Sequence, residues 1–146
     1  MYHESIGGKA AMKLIYPAIF TPYDDGTGYE VSVPDFPGCF SDGDTLADAM
    51  DNIVDEAARY ILIHMEAGDR IPKASAYQDI HPDRPGSFVS LILLDMAAYS
   101  DSHAAKSVRK NITIPAWLNA YGEARGVNFS RLLQDALLGL TQRPED

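Results

Sequence analysis

The sequence predicts an α+β fold: an antiparallel sheet crossed by one long helix, followed by a small strand–helix–helix module. Three observations predict it. In residues 29–33, Tyr29, Val31 and Val33 alternate with Glu30 and Ser32, as in a strand with one buried face. In residues 45–67, Leu46, Ala49, Met50, Ile53, Val54, Ala57, Tyr60 and Ile61 recur at helical spacing. After residue 107 the pattern restarts, with a new alternating stretch and two amphipathic segments.

Taken in order, the elements form a βββαβ unit and then the module. In residues 12–23, Leu14, Tyr16, Ala18 and Phe20 alternate with Ile15, Pro17 and Ile19. Pro17 places this first strand near an edge or at a bulge. Residues 24–28 (DDGTG) have hairpin chemistry, so the strand at 29–33 pairs back on the first. Pro34 ends the ladder, and Asp35-Phe36-Pro37-Gly38 makes a rigid turn in which Gly38 takes a positive φ. Phe40-Ser41 is a short third strand, and Thr45 with Asp48 marks a capped helix start. Asp48, Asp51 and Asp55 lie off the apolar stripe, and Gly68 suits the position just past the helix end. Residues 71–86 are an irregular, proline-rich connection. Residues 87–94 read as a strand buried on both faces that closes the sheet.

Residues 96–107 are small, polar and without period, which suits a linker. In residues 108–114, Val108, Ile112 and Ile114 share one face. Pro115 opens a helix at its first position, with Trp117, Leu118 and Tyr121 as anchors and Gly126 as its stop. Asn128 caps a second helix carrying Phe129, Leu132, Leu133, Ala136, Leu137 and Leu140. Strand, helix, helix in so short a span cannot bury its own apolar surface. The division expected is a disordered leader or tag at 1–11, a front domain at 12–95, the linker at 96–107 and the module at 108–142.

The chain has 146 residues, a net charge of −9 and a hydrophobic share of 46%. That share permits a core, and no apolar run approaches the roughly 20 residues of a membrane helix. One cysteine, Cys39, excludes an intrachain disulfide and a cysteine zinc cluster. No signal-peptide pattern is visible, so a cytoplasmic protein is the simplest reading. Charge is unevenly spread. Residues 1–100 carry 6 basic and 16 acidic residues, whereas 101–146 carry 6 and 5. An acidic front half suits a basic partner, and solubility alone would also explain it.

The stretch GYEVSVPDFPGCFSDGDTLADA, residues 28–49, resembles the signature of HicB-type antitoxins of type II toxin–antitoxin systems. In that signature a V-P-D-x-P-G-C turn is followed by G-D-T and a helix. The resemblance implies a partial ribonuclease-H-like front domain that neutralises a small basic toxin ribonuclease, HicA-like and directed at messenger RNA. Residues 110–140 are similar to a ribbon-helix-helix domain, which HicB-type antitoxins frequently carry. That resemblance implies a homodimer, or a dimer of dimers, that binds operator DNA and represses its own operon. No cofactor or metal is implied, and the protein is expected not to be an enzyme.

Candidate residues follow. Arg109, Asn111 and Thr113 alternate away from the apolar face of the ribbon, and their side chains suit guanine, adenine and thymine edges. An ordinary polar strand face is the plainer alternative. Lys110 reaches sideways to phosphate or solvent. Asn128, Ser130 and Arg131 sit at a helix N-terminus suited to phosphate, or form only a routine cap. For the toxin, the turn around Asp35, Phe36 and Asp42 is the candidate surface.

Other readings use the same residues. Asp35, Asp42 and Asp44 are close in sequence, as in a metal nuclease, but the first strand has no acid to complete such a site. Cys39 could be a nucleophile if a base lay nearby, but nothing in the sequence pairs His64 or His81 with it, and a small buried residue is the simpler role. A free-standing repressor whose front domain senses a ligand or sets oligomer state is the alternative function.

Overall fold

The computed structural model describes residues 12–103 and 107–141. The expected leader at 1–11, residues 104–106 of the expected linker and residue 142 of the expected module lie outside these residues. Strands β1 (Lys13–Pro22), β2 (Tyr29–Ser32) and β3 (Phe40–Gly43) precede helix α1 (Leu46–Glu66). A short 3-10 turn (Tyr77–Asp79), strand β4 (Phe88–Asp95) and helix α2 (Met96–Ser102) follow, then α3 (Ala116–Ala124) and α4 (Phe129–Thr141). The sheet is antiparallel throughout, in the order β3-β2-β1-β4.

Alternation sets which face of β1 is buried. Leu14, Tyr16, Ala18 and Phe20 point to the helix side, where Val31 of β2 and Ile92 and Leu94 of β4 join them. From α1, Ala49, Ile53, Ala57, Ala58 and Ile61 close this core. The small residues let the helix approach the sheet closely. At Gly43 the approach is tightest: a Cβ there would lie 2.3 Å from the backbone nitrogen of Ala49.

Pro17 lies in β1, which is an inner strand of the sheet. β2 pairs only with Ile19–Pro22, however, so Pro17 has a neighbour on the β4 side alone, opposite Leu91. The lost backbone donor therefore falls where no second ladder exists.

Both ends of α1 follow the expected chemistry. The Thr45 hydroxyl accepts from the Asp48 backbone N–H at 3.0 Å. Beyond Ala67, the N–H of Gly68 reaches Met65 O and that of Asp69 reaches His64 O, the pair of bonds of a Schellman motif. The α3 helix ends the same way, with Gly126 donating to Glu123 O and Val127 to Gly122 O.

Three expectations are corrected. β4 is not buried on both faces: Ile92 is 2% exposed, yet Leu91 and Leu93 are each 51% exposed. The helix covers only one side of the sheet, and among the described residues Leu91 and Leu93 of the second row stay half-exposed. Residues 96–107 were expected to lack regular structure, and their first part is instead helix α2. Asp95 caps it by accepting from Ala98 N at 3.1 Å, and Met96 is buried. Residues 108–114 form no strand in the single chain, because among the described residues no other strand lies beside them to complete a ladder. A smaller shift concerns Pro115, which sits one place before the first helical residue and offers its carbonyl to Leu118 and Asn119.

The front domain is closed around its core, but the C-terminal helices are not. α3 buries only Gly122, against the ring of Phe129, and α4 buries no residue. Leu138 of α4 packs on the edge of the front core, and the Thr141 hydroxyl lies 3.8 Å from the Met12 sulfur.

Candidate functional site

The turn at 34–38 is built as the sequence indicates. Phe36 N donates to Val33 O and Cys39 N to Phe36 O, while Val33 N returns to Cys39 O. Gly38 takes φ 80°, a conformation that disfavours any side chain. What the turn presents is different from what the sequence suggested. Asp35 is not free: its carboxylate accepts from Ser75 N at 2.9 Å and from Ser75 Oγ at 2.6 Å. Phe36 is 1% exposed, packed edge-on against Tyr16 and stacked on Tyr60. As a surface contact Phe36 is therefore corrected; its ring belongs to the core.

The exposed aromatic of this region is Phe40, at 66%. It stands on the outer strand β3 opposite Ser32, on the sheet face without the helix. Sequence reasoning placed Phe40 in a strand but missed its exposure. The signal was present, since pairing Phe40 with Ser32 puts both on the polar face of the hairpin.

Asp42 lies two residues on, opposite Glu30, and is exposed. Its carboxylate accepts from the Tyr23 hydroxyl at 3.2 Å, and its carbonyl accepts from Asn52 Nδ2 at 2.8 Å. The second bond ties the end of β3 to α1, and Asp44 and Asp48 are exposed on the connection and first helical turn that follow. Glu30 is paired with Arg84 from the long connection.

Among the described residues, no group of three or more His, Cys, Asp or Glu side chains is placed to hold a metal ion. Cys39 is buried, and burial, reinforced by the nearby Glu56 carboxylate, pushes its thiol up to about 11. Thiolate chemistry at neutral pH has no support there. His64 is engaged elsewhere, with Nδ1 2.9 Å from Tyr60 O and its ring stacked on Tyr60.

The residues singled out for DNA fall in two places. Arg109, Lys110, Asn111 and Thr113 are all exposed along the stretch before α3. Asn128 is the N-cap of α4, accepting from Arg131 N at 3.0 Å, and Ser130 is exposed in the first turn. The Arg131 side chain is half-buried and lines a hollow of about 400 Å³ between α4 and the front domain, with Met12, Met65, Met96 and Asp101. The single chain thus separates Arg131 from the exposed 109–113 segment in environment. No described helix is long and apolar enough to cross a membrane.

A sheet and its long helix enclose one core, and α3 and α4 after it bury only Gly122. The chain belongs to the HicB-like antitoxins of bacterial toxin–antitoxin systems: residues 16–135 match that family. It is 34% identical over 107 residues to a 14.9 kDa protein of the rep–hol intergenic region of Haemophilus phage HP1, covering 72% of this chain and 76% of that one. It is 31% identical over 87 residues to antitoxin HicB 1 of Photorhabdus laumondii, covering 60% of this chain and 55% of the relative. Two solved structures are similar over most of the chain. One is the toxin–antitoxin complex of Streptococcus pneumoniae (TM-score 0.55, 27% identity, 86% of this chain and 97% of that one). The other is the Burkholderia pseudomallei antitoxin HicB (TM-score 0.54, 29% identity, 86% and 96%).

Proposed function

We propose that this antitoxin binds and inhibits a small basic HicA-like ribonuclease through its front domain, and represses its own operon by binding operator DNA as a dimer. The observation that carries the reading is the contrast between the two halves. The front domain is complete, whereas the C-terminal segment leaves Val108 87%, Ile112 58%, Leu137 54% and Leu140 52% exposed. Apolar surface on that scale needs a partner, and a second copy supplies a matching one.

In the dimer, residues 108–114 of two chains pair as a ribbon, which gives each strand the ladder it lacks alone. Val108, Ile112 and Ile114 turn inward onto α3 and α4. Arg109, Asn111 and Thr113 then face outward into the major groove as base readers. Lys110, and the start of α4 with Asn128 and Ser130, hold phosphates. Arg131 joins them if pairing draws its side chain out of the hollow. A two-fold arrangement of readers requires an inverted-repeat operator.

On the front domain, Phe40, Asp42, Asp44 and Asp48 form the toxin-facing corner: one exposed ring inside a field of carboxylates. Asp35 serves that corner from behind, by fixing the turn. A basic toxin is held there by charge and steric cover, and no bond is made or broken by the antitoxin.

The test is binding of the full-length protein to its own upstream DNA and to a scrambled duplex across a salt series. Preference for the upstream sequence that persists as salt rises supports base reading. Equal affinity for both at every salt concentration removes it.

A further inference from the structure

The hollow of about 400 Å³ beside α4 is apolar at one end and polar at the other. On α4 its lining residues are Arg131, Gln134, Leu137 and Leu138, a stripe at helical spacing with the polar end first. On α2 the order is reversed, with Met96 at the helix start and Ser100 and Asp101 near its end. The apolar ends meet at Met12. Its carbonyl accepts from Met96 N at 2.9 Å, and its sulfur lies 3.8 Å from the hydroxyl of Thr141, just beyond Leu138. The two helices therefore pass each other in opposite senses, and Arg131 and Gln134 share a rim with Ser100. Met65 of α1 extends the apolar wall.

The rim holds an unmet charge. The Arg131 side chain is half-buried, and among the described residues none accepts a hydrogen bond from its guanidinium or forms an ion pair with it. Asp101, exposed on the same rim, is already engaged. A partly desolvated guanidinium beside apolar surface favours a carboxylate, which it can hold through two parallel hydrogen bonds. The volume falls within the roughly 300–1,000 Å³ of small-ligand sites. The described lining has one cation and no aromatic ring, so a nucleotide would find neither a phosphate clamp nor a platform for its base. Methionine walls suit a flexible aliphatic chain.

We propose that the hollow binds a small amphipathic monoanion, an aliphatic carboxylate. Its head rests on Arg131 and Gln134, and its chain lies along Met65, Met96 and Leu138 toward Met12. In the proposed function Arg131 also serves DNA phosphate, so an occupied hollow withholds it; the site itself does not depend on that role.

Calorimetric titration of the full-length protein with decanoate, below the concentration at which it self-associates, tests the site. One decanoate should bind per chain, saturably. Decanol and decyltrimethylammonium, with the same tail, should bind at least tenfold more weakly, and acetate, with the same head, not at all. Arg131→Gln and Gln134→Glu exchange polar side chains at the rim, and each should weaken decanoate at least tenfold. Decanoate should also raise the thermal midpoint of the wild type and leave that of Arg131→Gln unchanged. Absence of saturable binding, or equal affinity for the anion and the cation, overturns the proposal. So does decanoate affinity that neither variant changes, which would assign the tail to exposed apolar surface such as Leu91 and Leu93.

Discussion

Asp35 and Ser75 are joined by two hydrogen bonds, from Ser75 N at 2.9 Å and Ser75 Oγ at 2.6 Å, across forty positions of chain. The bond pair clamps the turn after β2 to the segment that leaves α1. Tyr16 adds a second tie to the same segment, donating to Pro72 O at 2.5 Å. The acid of the turn motif is thus a brace for the loop path.

Removing that brace should be felt as stability. Asp35→Ala is expected to cost about 1–2 kcal/mol, because both Ser75 donors lose a charged acceptor but remain open to water. Ser75→Ala should cost less, since the backbone bond survives. Urea unfolding of the two variants checks the order.

Phe36 and Phe40 should separate core from surface. Phe36→Ala is expected to destabilise by about 3–5 kcal/mol, the range for a buried aromatic, and to lower the thermal midpoint sharply. Phe40→Ala should change stability by no more than about 0.5 kcal/mol and weaken toxin binding at least tenfold. Calorimetry of both proteins, free and with toxin, measures the two effects.

Stability should fall in alkali. The folded thiol of Cys39 is raised from 9.0 to about 11, so the folded state disfavours the thiolate. The contribution is whole below pH 9 and is lost as pH rises through about 11. Tyr16, raised to about 12 by burial and then by Asp35, extends the trend in the same direction. Denaturant midpoints measured from pH 7 to 11 should be flat at first and then decline, less steeply in Cys39→Ala.

At the DNA interface, Arg109→Ala or Asn111→Ala should cost about 1–3 kcal/mol per lost base contact and relax sequence preference. Arg131→Ala should instead weaken all sequences alike and flatten the salt dependence. Leu133→Asp should abolish binding by breaking the shared core, visible as a change in mass. Titrations of the four variants on operator and scrambled DNA distinguish these outcomes.

Elements held by local chemistry were legible in the sequence. Thr45, Gly68, Gly126 and Asn128 mark helix ends through bonds within a few residues, and all four act as their residue types suggest. Quantities set by distant neighbours were less so. The apolar run of β4 fits a strand covered on both sides, and only the placement of α1 on one face shows that Leu91 and Leu93 are uncovered. Phe36 and Phe40 are alike in sequence context, yet the turn points one ring at Tyr60 and β3 sends the other outward. The 108–114 segment is the extreme case, because its alternation suggests a strand and the single chain forms none there.

Neutralisation of a HicA-like ribonuclease is the most direct consequence of the proposed function. The measurement is the rate of RNA cleavage by a small basic HicA-like toxin, titrated with the full-length protein in Mg²⁺. Cleavage should stop near one antitoxin chain per toxin, and the antitoxin alone should leave RNA intact. Undiminished cleavage at excess antitoxin, or cleavage by the antitoxin itself that Asp35→Asn removes, would contradict the account.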